Sequence, residues 1–191
     1  MNSKAGPEPG AGLIVLDRDG VINRESPDFI KTADEWLPLP GSLEAIAALS
    51  QAGFTVVVAT NQSGVGRGLI SPTALGEIHG RMVQSVAEAG GKLAGIFFCP
   101  HRPEDNCSCR KPKPGLLEQI EAQFGCSLKG RPVIGDSARD LQAAEAIGAR
   151  AILVRTGNGI ETERGLGGRK PEIFDDLAAA ARSLIGQGVS G

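Results

Sequence analysis

Leu13-Ile14-Val15-Leu16-Asp17-Arg18-Asp19-Gly20 decides the fold. Four apolar residues in a row, closed by an acid, read as a strand buried on both faces, because a strand with one wet face would alternate. Thr55-Val56-Val57-Val58-Ala59 repeats the pattern and ends in Thr60-Asn61. Ile96-Phe97-Phe98, Pro132-Val133-Ile134 and Ala151-Ile152-Leu153-Val154 add three more runs. Helical patterns lie between them. The segment from Gly41 to Gly53 carries Leu43, Ile46, Ala47 and Leu49. Another opens with Ser71 as N-cap and Pro72 at N1, then places Leu75, Ile78, Met82 and Val86 on one face. A third starts at Pro114 with Leu117, Ile120 and Phe124; a fourth runs from Ser137 to Ile147, with Gly148 as its C′ residue. Residues 173–185 read as a final amphipathic helix. Strands alternating with helices make βαβ units, so the expected fold is α/β with a doubly wound parallel sheet.

The composition fits one domain and narrows the function. The chain has 191 residues, and residues 12–186 read as that domain. Residues 1–11 form a polar Pro/Gly tail expected to be mobile, and 187–191 a short C-terminal tail. Lys plus Arg is 20 against 22 Asp plus Glu, a net charge of −2 that offers no electrostatic footprint for nucleic acid or an anionic membrane. Trp36 is the only Trp and there is no Tyr, so stacking platforms for bases are scarce. No apolar window reaches the length of a membrane span, and no apolar segment precedes Gly12 as in a signal peptide. A cytoplasmic location is expected, where cysteines act as thiols or metal ligands rather than disulfides. Nothing in the periodicity marks a dimer face, and a monomer is expected.

In a doubly wound sheet, ligands bind beyond the carboxyl ends of the strands. Here those ends are Asp17-Arg18-Asp19-Gly20, Thr60-Asn61-Gln62-Ser63-Gly64, Cys99-Pro100-His101 and Gly135-Asp136. Asp17 and Asp19 taken alone are either a pair of Mg²⁺ ligands or ordinary loop acids. Joined by Thr60, Lys111 and Asp136 around one crevice, they form the set that phosphoryl transfer needs. A carboxylate can attack phosphorus, cations neutralise its equatorial oxygens, and a second carboxylic acid protonates the leaving alkoxide.

Cys99, His101, Cys107 and Cys109 form a C-x-H-x5-C-x-C cluster. Two tight pairs joined by a short loop can wrap one ion with three sulfurs and a nitrogen, a closed tetrahedral site that reads as structural zinc. The competing reading is a chance group of thiols. Arg110 and Lys111 follow the last ligand directly, so a fixed zinc loop would also fix these two cations. Cys126 lies outside the cluster and reads as a free thiol. His79 is expected to be a surface or packing residue. Gly64-Val65-Gly66-Arg67-Gly68 lacks the Lys-Ser/Thr of a P-loop and reads as a flexible turn.

Leu16-Asp17-Arg18-Asp19-Gly20-Val21-Ile22-Asn23, Ala59-Thr60-Asn61-Gln62, Arg110-Lys111-Pro112 and Gly135-Asp136-Ser137-Ala138-Arg139-Asp140 resemble the four ordered motifs of the haloacid dehalogenase superfamily. Within it the chain resembles the heptose bisphosphate phosphatases over residues 12–160, with zinc-bearing histidinol-phosphate phosphatases as near relatives. The resemblance implies a capless phosphatase with a zinc loop at 99–109, acting on a small sugar bisphosphate on the route to lipopolysaccharide-core heptose. It makes Asp17 the nucleophile and Asp19 the general acid and base. Thr60 and Lys111 would hold the phosphoryl group. Mg²⁺ would be bound by Asp17, the carbonyl of Asp19 and Asp136. Substrate contacts are implied at Glu25, Ser26, Asp28, Thr60, Asn61, Gln62, Ser63, Arg110 and Lys111, with Arg110 as the anchor for a second phosphate. Family members often carry Lys where this chain has Ser137, which leaves the role of Ser137 open. Asp140 is either an outer metal partner or a helix N-terminal acid. The alternatives are a histidinol-phosphate phosphatase, which would want a carboxylate such as Glu25 or Asp28 near the entrance, and a non-catalytic zinc-stabilised phosphoester-binding module.

Overall fold

The computed structural model describes residues 12–188; the expected tail at 1–11 lies outside them, as do residues 189–191. Six strands form one sheet: β1 (Gly12–Leu16), β2 (Phe54–Asn61), β3 (Gly95–Cys99), β4 (Pro132–Gly135), β5 (Arg150–Val154) and β6 (Glu172–Phe174). Every pairing is parallel and the order is β3-β2-β1-β4-β5-β6. Chain order reverses between β1 and β4, so the ligand crevice opens above these two strands. Register then sets the site. Leu16 pairs with Val58 on one side and Ile134 on the other, and the Asp17 N–H donates to the Ile134 carbonyl at 2.9 Å. Asp17 therefore emerges beside the carboxyl ends of β2 and β4, next to Thr60 and Asp136.

Among the described residues there are seven α-helices: α1 (Ser42–Gln51), α2 (Ser63–Gly66), α3 (Pro72–Glu88), α4 (Gly115–Phe124), α5 (Ala138–Ala146), α6 (Gly159–Arg164) and α7 (Leu177–Gly188). The β1 residues alternate between two cores, as the pleat requires. Ile14 and Leu16 pack with Ile46 and Leu49 of α1, Ile78 and Met82 of α3, and Leu184 of α7. Leu13 and Val15 pack on the other face with Leu116 and Ile120 of α4 and Ala143 of α5. Continuous apolar runs in the strands follow directly from this two-sided burial. The start of α3 is built as the sequence predicts, with Pro72 in the first turn and the Ser71 hydroxyl accepting from the Ala74 N–H at 3.0 Å. Trp36 is buried against the α1 side of the sheet.

Three segments differ from expectation. Residues 173–185 are not one helix: Glu172–Phe174 add an edge strand, and Asp176 caps the next helix by accepting from the Ala179 N–H at 2.7 Å. A three-residue edge strand is too short to show a period of two, and Ile173 happens to continue the helical stripe. The flexible turn expected at Gly64–Gly68 begins as the one-turn helix α2, where a side chain on Gly64 would meet Ile70 at 2.5 Å. The C-terminal tail expected from residue 187 instead continues α7 to Gly188. Among the described residues no helix is long and apolar enough to cross a membrane.

Ile46 is fully buried against the sheet, whereas Leu69 is 51% exposed. Ile46→Ala should lower unfolding free energy by about 2–5 kcal/mol, and Leu69→Ala should change it by less than about 0.5 kcal/mol. Urea denaturation read by midpoint and slope checks both.

Candidate active site

Lys111 occupies the centre of the crevice. Its ammonium has three N–H donors and meets three acceptors: Asp17 Oδ1 at 3.0 Å, Asp140 Oδ1 at 2.5 Å and the Ala59 carbonyl at 2.8 Å. Burial works against its charge, but Asp140 and Asp17 together hold its pKa above the ordinary lysine value. Burial and then the Asp140 charge push the Asp17 carboxyl well up, with Lys111 opposing. Asp140 goes the other way: against the cost of burial, Lys111 and two hydrogen bonds from Ser137 hold it low. Both contacts on Asp17, from Lys111 and from the Arg18 N–H at 2.7 Å, fall on Oδ1. Thr60, buried, lines the same small cleft of about 70 Å³ with Asp17, Asp19, Lys111 and Asp136.

Asp19 is held differently. The Arg18 guanidinium donates to both its oxygens at 3.0 Å, Asn23 Nδ2 to Oδ1 at 2.8 Å and Gln62 Nε2 to Oδ2 at 2.8 Å. Gln62 also donates to Thr60 Oγ1 at 2.9 Å, so one amide sets two site residues. Asn61 clamps the Lys111 backbone, donating to its carbonyl at 3.0 Å and accepting from its N–H at 3.1 Å. The two amides expected at the substrate thus also position the acid and the lysine, a role their spacing alone did not reveal. Ser137 is the N-cap of α5, and its N–H and hydroxyl both donate to Asp140 Oδ2. Asp140 is therefore a helix N-terminal acid and a member of the carboxylate cluster at once.

Asp136 is placed by two glycines and an asparagine. The Asn158 N–H donates to Asp136 Oδ2 at 2.8 Å, while Asn158 Nδ2 also reaches Glu25. Gly20 and Gly157 both have positive φ, and a Cβ on either would lie within about 2 Å of Asp136 Oδ2. Burial first, opposed by the Asn158 hydrogen bond and aided by the Asp140 and Glu25 charges, pushes the Asp136 carboxyl up to about 7 in spite of Lys111. Carboxylate oxygens of Asp17, Asp136 and Asp140 lie within 4.8 Å of one another. Three clustered carboxylates against one ammonium suit a hard divalent cation.

A second cleft of about 160 Å³ adjoins the first, lined by Arg18, Asp19, Glu25, Ser26, Phe29, Ile30, Asn61, Gln62, Ser63, Arg110 and Arg139. Asp28 lines neither cleft; Phe29, held at φ 64°, turns in beside it. Arg139 and Asn158 were not foreseen. Arg139 had a signal, a cation in the first turn of a helix, where acids are favoured. Asn158 had none, since it arrives from a loop after β5. A larger groove of about 630 Å³, with Phe54, Lys92 and Phe124 in its wall, lies at the opposite ends of the strands and has no carboxylate. His79 is a packing residue, edge-on to Phe98.

The Cys/His cluster closes as spaced. Cys99 Sγ lies 3.6 Å from Cys107 Sγ and 3.4 Å from Cys109 Sγ, and His101 Nδ1 is 3.5 Å from Cys99 Sγ and 3.3 Å from Cys109 Sγ. Tetrahedral zinc with Zn–S near 2.3 Å would set sulfur atoms about 3.8 Å apart. The donor set and spacing fit zinc.

Residues 108–180 match the HAD-hydrolase-like family model. A Pseudomonas aeruginosa protein called D-glycero-β-D-manno-heptose-1,7-bisphosphate 7-phosphatase is 54% identical over 91% of this chain and 97% of its own length. The chain belongs to the heptose 1,7-bisphosphate 7-phosphatase family. A crystal structure of the family's Bordetella bronchiseptica member, complexed with magnesium and phosphate, superposes with a TM-score of 0.89 at 49% identity, covering 92% of this chain and 99% of that one. The Burkholderia thailandensis member gives 0.73 at 42% identity over 91% and 98%. The chain is thus a phosphatase of the haloacid dehalogenase superfamily.

For this family member the raised Asp136 pKa has a measurable consequence. The carboxyl titrates near 7 in the fold and near 4 in an unfolded chain, so the folded state carries the extra proton between those values. That contribution to stability is complete at low pH and lost as pH rises through about 7. A divalent cation selects the carboxylate and must displace the proton. The thermal stabilisation given by Mg²⁺ should therefore grow between about pH 6 and 8. At about pH 6 its binding should release a proton, read by calorimetry in two buffers of different ionisation enthalpy. Asp136→Asn should remove both effects.

Proposed function

We propose that this chain removes the 7-phosphate of D-glycero-β-D-manno-heptose 1,7-bisphosphate through an aspartyl-phosphate on Asp17. The observation that carries the reading is the partly buried Asp17 carboxylate held through Oδ1 by Lys111 and the Arg18 N–H, in a chain whose relatives bear this activity in their names. Those names also support the β-anomer. Asp17 attacks the 7-phosphorus, and the P–O7 bond breaks. Asp19 gives its proton to the departing sugar oxygen, then takes one from the water that cleaves the acyl phosphate. Thr60 and Lys111 hold the phosphoryl oxygens in both steps. Asp17, Asp136 and the Asp19 carbonyl would bind Mg²⁺, with Asp140 beside them; when bound, the ion supplies charge neutralisation at the phosphoryl group. Arg110 offers the second anchor that a bisphosphate needs, which favours this substrate over an amino-alcohol phosphate. Glu25, Ser26 and Ser63 form the wall around the sugar. We further propose action in the cytoplasm as a monomer, a location with which four free cysteines agree.

Zinc held by Cys99, His101, Cys107 and Cys109 would serve catalysis indirectly. The cluster anchors one end of the loop that carries Lys111, and Asn61 anchors the other. Removing zinc with a chelator while Mg²⁺ stays saturating should cut turnover sharply, because the Arg110 and Lys111 positions relax. Full activity in a folded, zinc-free protein would refute the link.

Asp17→Asn should abolish turnover while the fold and zinc content persist. Asp19→Asn should distinguish leaving groups, since a sugar alkoxide needs a proton and p-nitrophenolate does not. In single turnover the loss should be greater for the heptose bisphosphate than for p-nitrophenyl phosphate, by up to about 10²–10⁴-fold. Stopped flow should show a p-nitrophenol burst followed by slow turnover, because Asp19 is also the base for water. Equal losses on both substrates would remove Asp19 from the acid role.

A further inference from the structure

Arg139 is the charged side chain that the mechanism leaves without a task. It sits in the first turn of α5, exposed, and lines both the small cleft with Asp17 and Lys111 and the larger one with Arg110. Among the described residues it makes no ion pair and no side-chain hydrogen bond, unlike Arg18, whose charge is matched by Asp19. Its position is electrostatically unfavourable twice over. The N-terminal end of a helix carries partial positive charge and disfavours a cation. The neighbouring Arg110 lines the larger cleft with it and is a second cation that makes no ion pair among the described residues. Glu25 lines both clefts and lies within electrostatic reach of Arg139, but it accepts its hydrogen bond from Asn158 and forms no ion pair with the guanidinium. Two guanidinium groups lining one cleft, neither ion-paired among the described residues, one of them at a helix N-terminus, suit a doubly charged anion.

We propose that Arg139 is a specificity-determining residue that binds the phosphate of the substrate which is not transferred, working with Arg110. This rests on the heptose bisphosphate reading and deepens it. The small cleft takes the phosphoryl group that Asp17 attacks. The larger cleft takes the rest of the molecule, and its unpaired cations select a sugar that carries a second phosphate. A guanidinium fork binds phosphate oxygens through two parallel hydrogen bonds, so the contact also orients the sugar and presents O7 towards Asp19.

The test compares wild type with Arg139→Ala on the heptose 1,7-bisphosphate and on the heptose 7-phosphate, which lacks the second phosphate. Wild type should prefer the bisphosphate. In R139A, kcat/KM for the bisphosphate should fall about 10- to 100-fold, the size of a lost charged hydrogen-bonding partner, mainly through KM. For the 7-phosphate it should stay within about twofold, since that substrate makes no such contact. Arg139→Lys should recover part of the loss, keeping the charge without the fork. The melting temperature of R139A should be unchanged or higher, because a cation has left the helix N-terminus. Equal losses on both substrates, or a lower melting temperature with them, would overturn the assignment. A wild-type preference for the bisphosphate that survives intact in R139A would overturn it alone. A wild type without that preference would overturn the bisphosphate reading, and this assignment with it.

Discussion

The Lys111 ammonium, held between Asp17 and Asp140 and under the Ala59 carbonyl, is the contact around which the site is organised. A buried ammonium is costly unless every donor is matched, and removing one partner from such a pair typically costs about 3–5 kcal/mol. Here the matching groups come from three places in the chain: the end of β1, the end of β2 and the first turn of α5. Lys111 itself comes from a fourth, the loop after β3. The parallel register delivers the first three, because Leu16, Val58 and Ile134 lie side by side. The loop has no register to place it. Asn61 supplies one substitute by pairing with the Lys111 backbone as a neighbouring strand would. The Cys/His cluster, with zinc bound as proposed, would give the loop a second fixed point just before Arg110.

One ammonium does not balance three carboxylates. Asp17 and Asp136 both remain raised by burial even with Lys111 beside them, so the protein alone leaves their charged forms under-stabilised. The glycines explain how the crowding is sterically possible. Gly20 and Gly157 approach Asp136 Oδ2 so closely that a methyl group on either would displace it. The Thr156 hydroxyl donates to the Gly20 carbonyl at 2.6 Å, which binds the loop after β5 to the loop after β1. Asp136 is thereby fixed from both sides before any ligand arrives. Preorganisation of this kind is what allows a site to stabilise developing charge without rearranging at the moment of reaction.

The parts of this fold that were legible in sequence share a physical cause. Strands buried on both faces are continuous apolar runs, and long helices show a stripe, so β1 to β5, α1, α3, α4 and α5 could be read from local pattern. Glu172–Phe174, Ser63–Gly66 and Gly159–Arg164 are too short to carry a period, and their identity comes from the sheet edge and crevice they adjoin. The site divides along the same line. Asp17, Asp19, Thr60, Lys111 and Asp136 follow strands or a recognisable motif, and the four side chains of the Cys/His cluster have tight local spacing. Asn158 reaches Asp136 across 22 residues and Glu25 across 133, relations no local spacing records. Asn61 and Gln62 were legible as site residues, but not the groups their amides would hold.

The two clefts have opposite electrical character, and they meet at a shared wall of Asp19, Glu25, Asn61 and Arg139. In the small one, carboxylates outnumber cations and a divalent cation is favoured. In the large one, Arg18 is ion-paired with Asp19, Arg110 and Arg139 form no ion pair among the described residues, and three cations against Asp19 and Glu25 favour an anion. A domain without a cap has few walls with which to recognise a sugar by shape. Charge can act in their place, because a bisphosphate offers a second anion that the larger cleft can hold while the first lies over Asp17. The short loop from Glu25 to Ile30 then has a modest task, to close the side of the cleft around the sugar. Phe29, at its unusual positive φ, shows that backbone conformation there is set by the need to turn an apolar side chain inward.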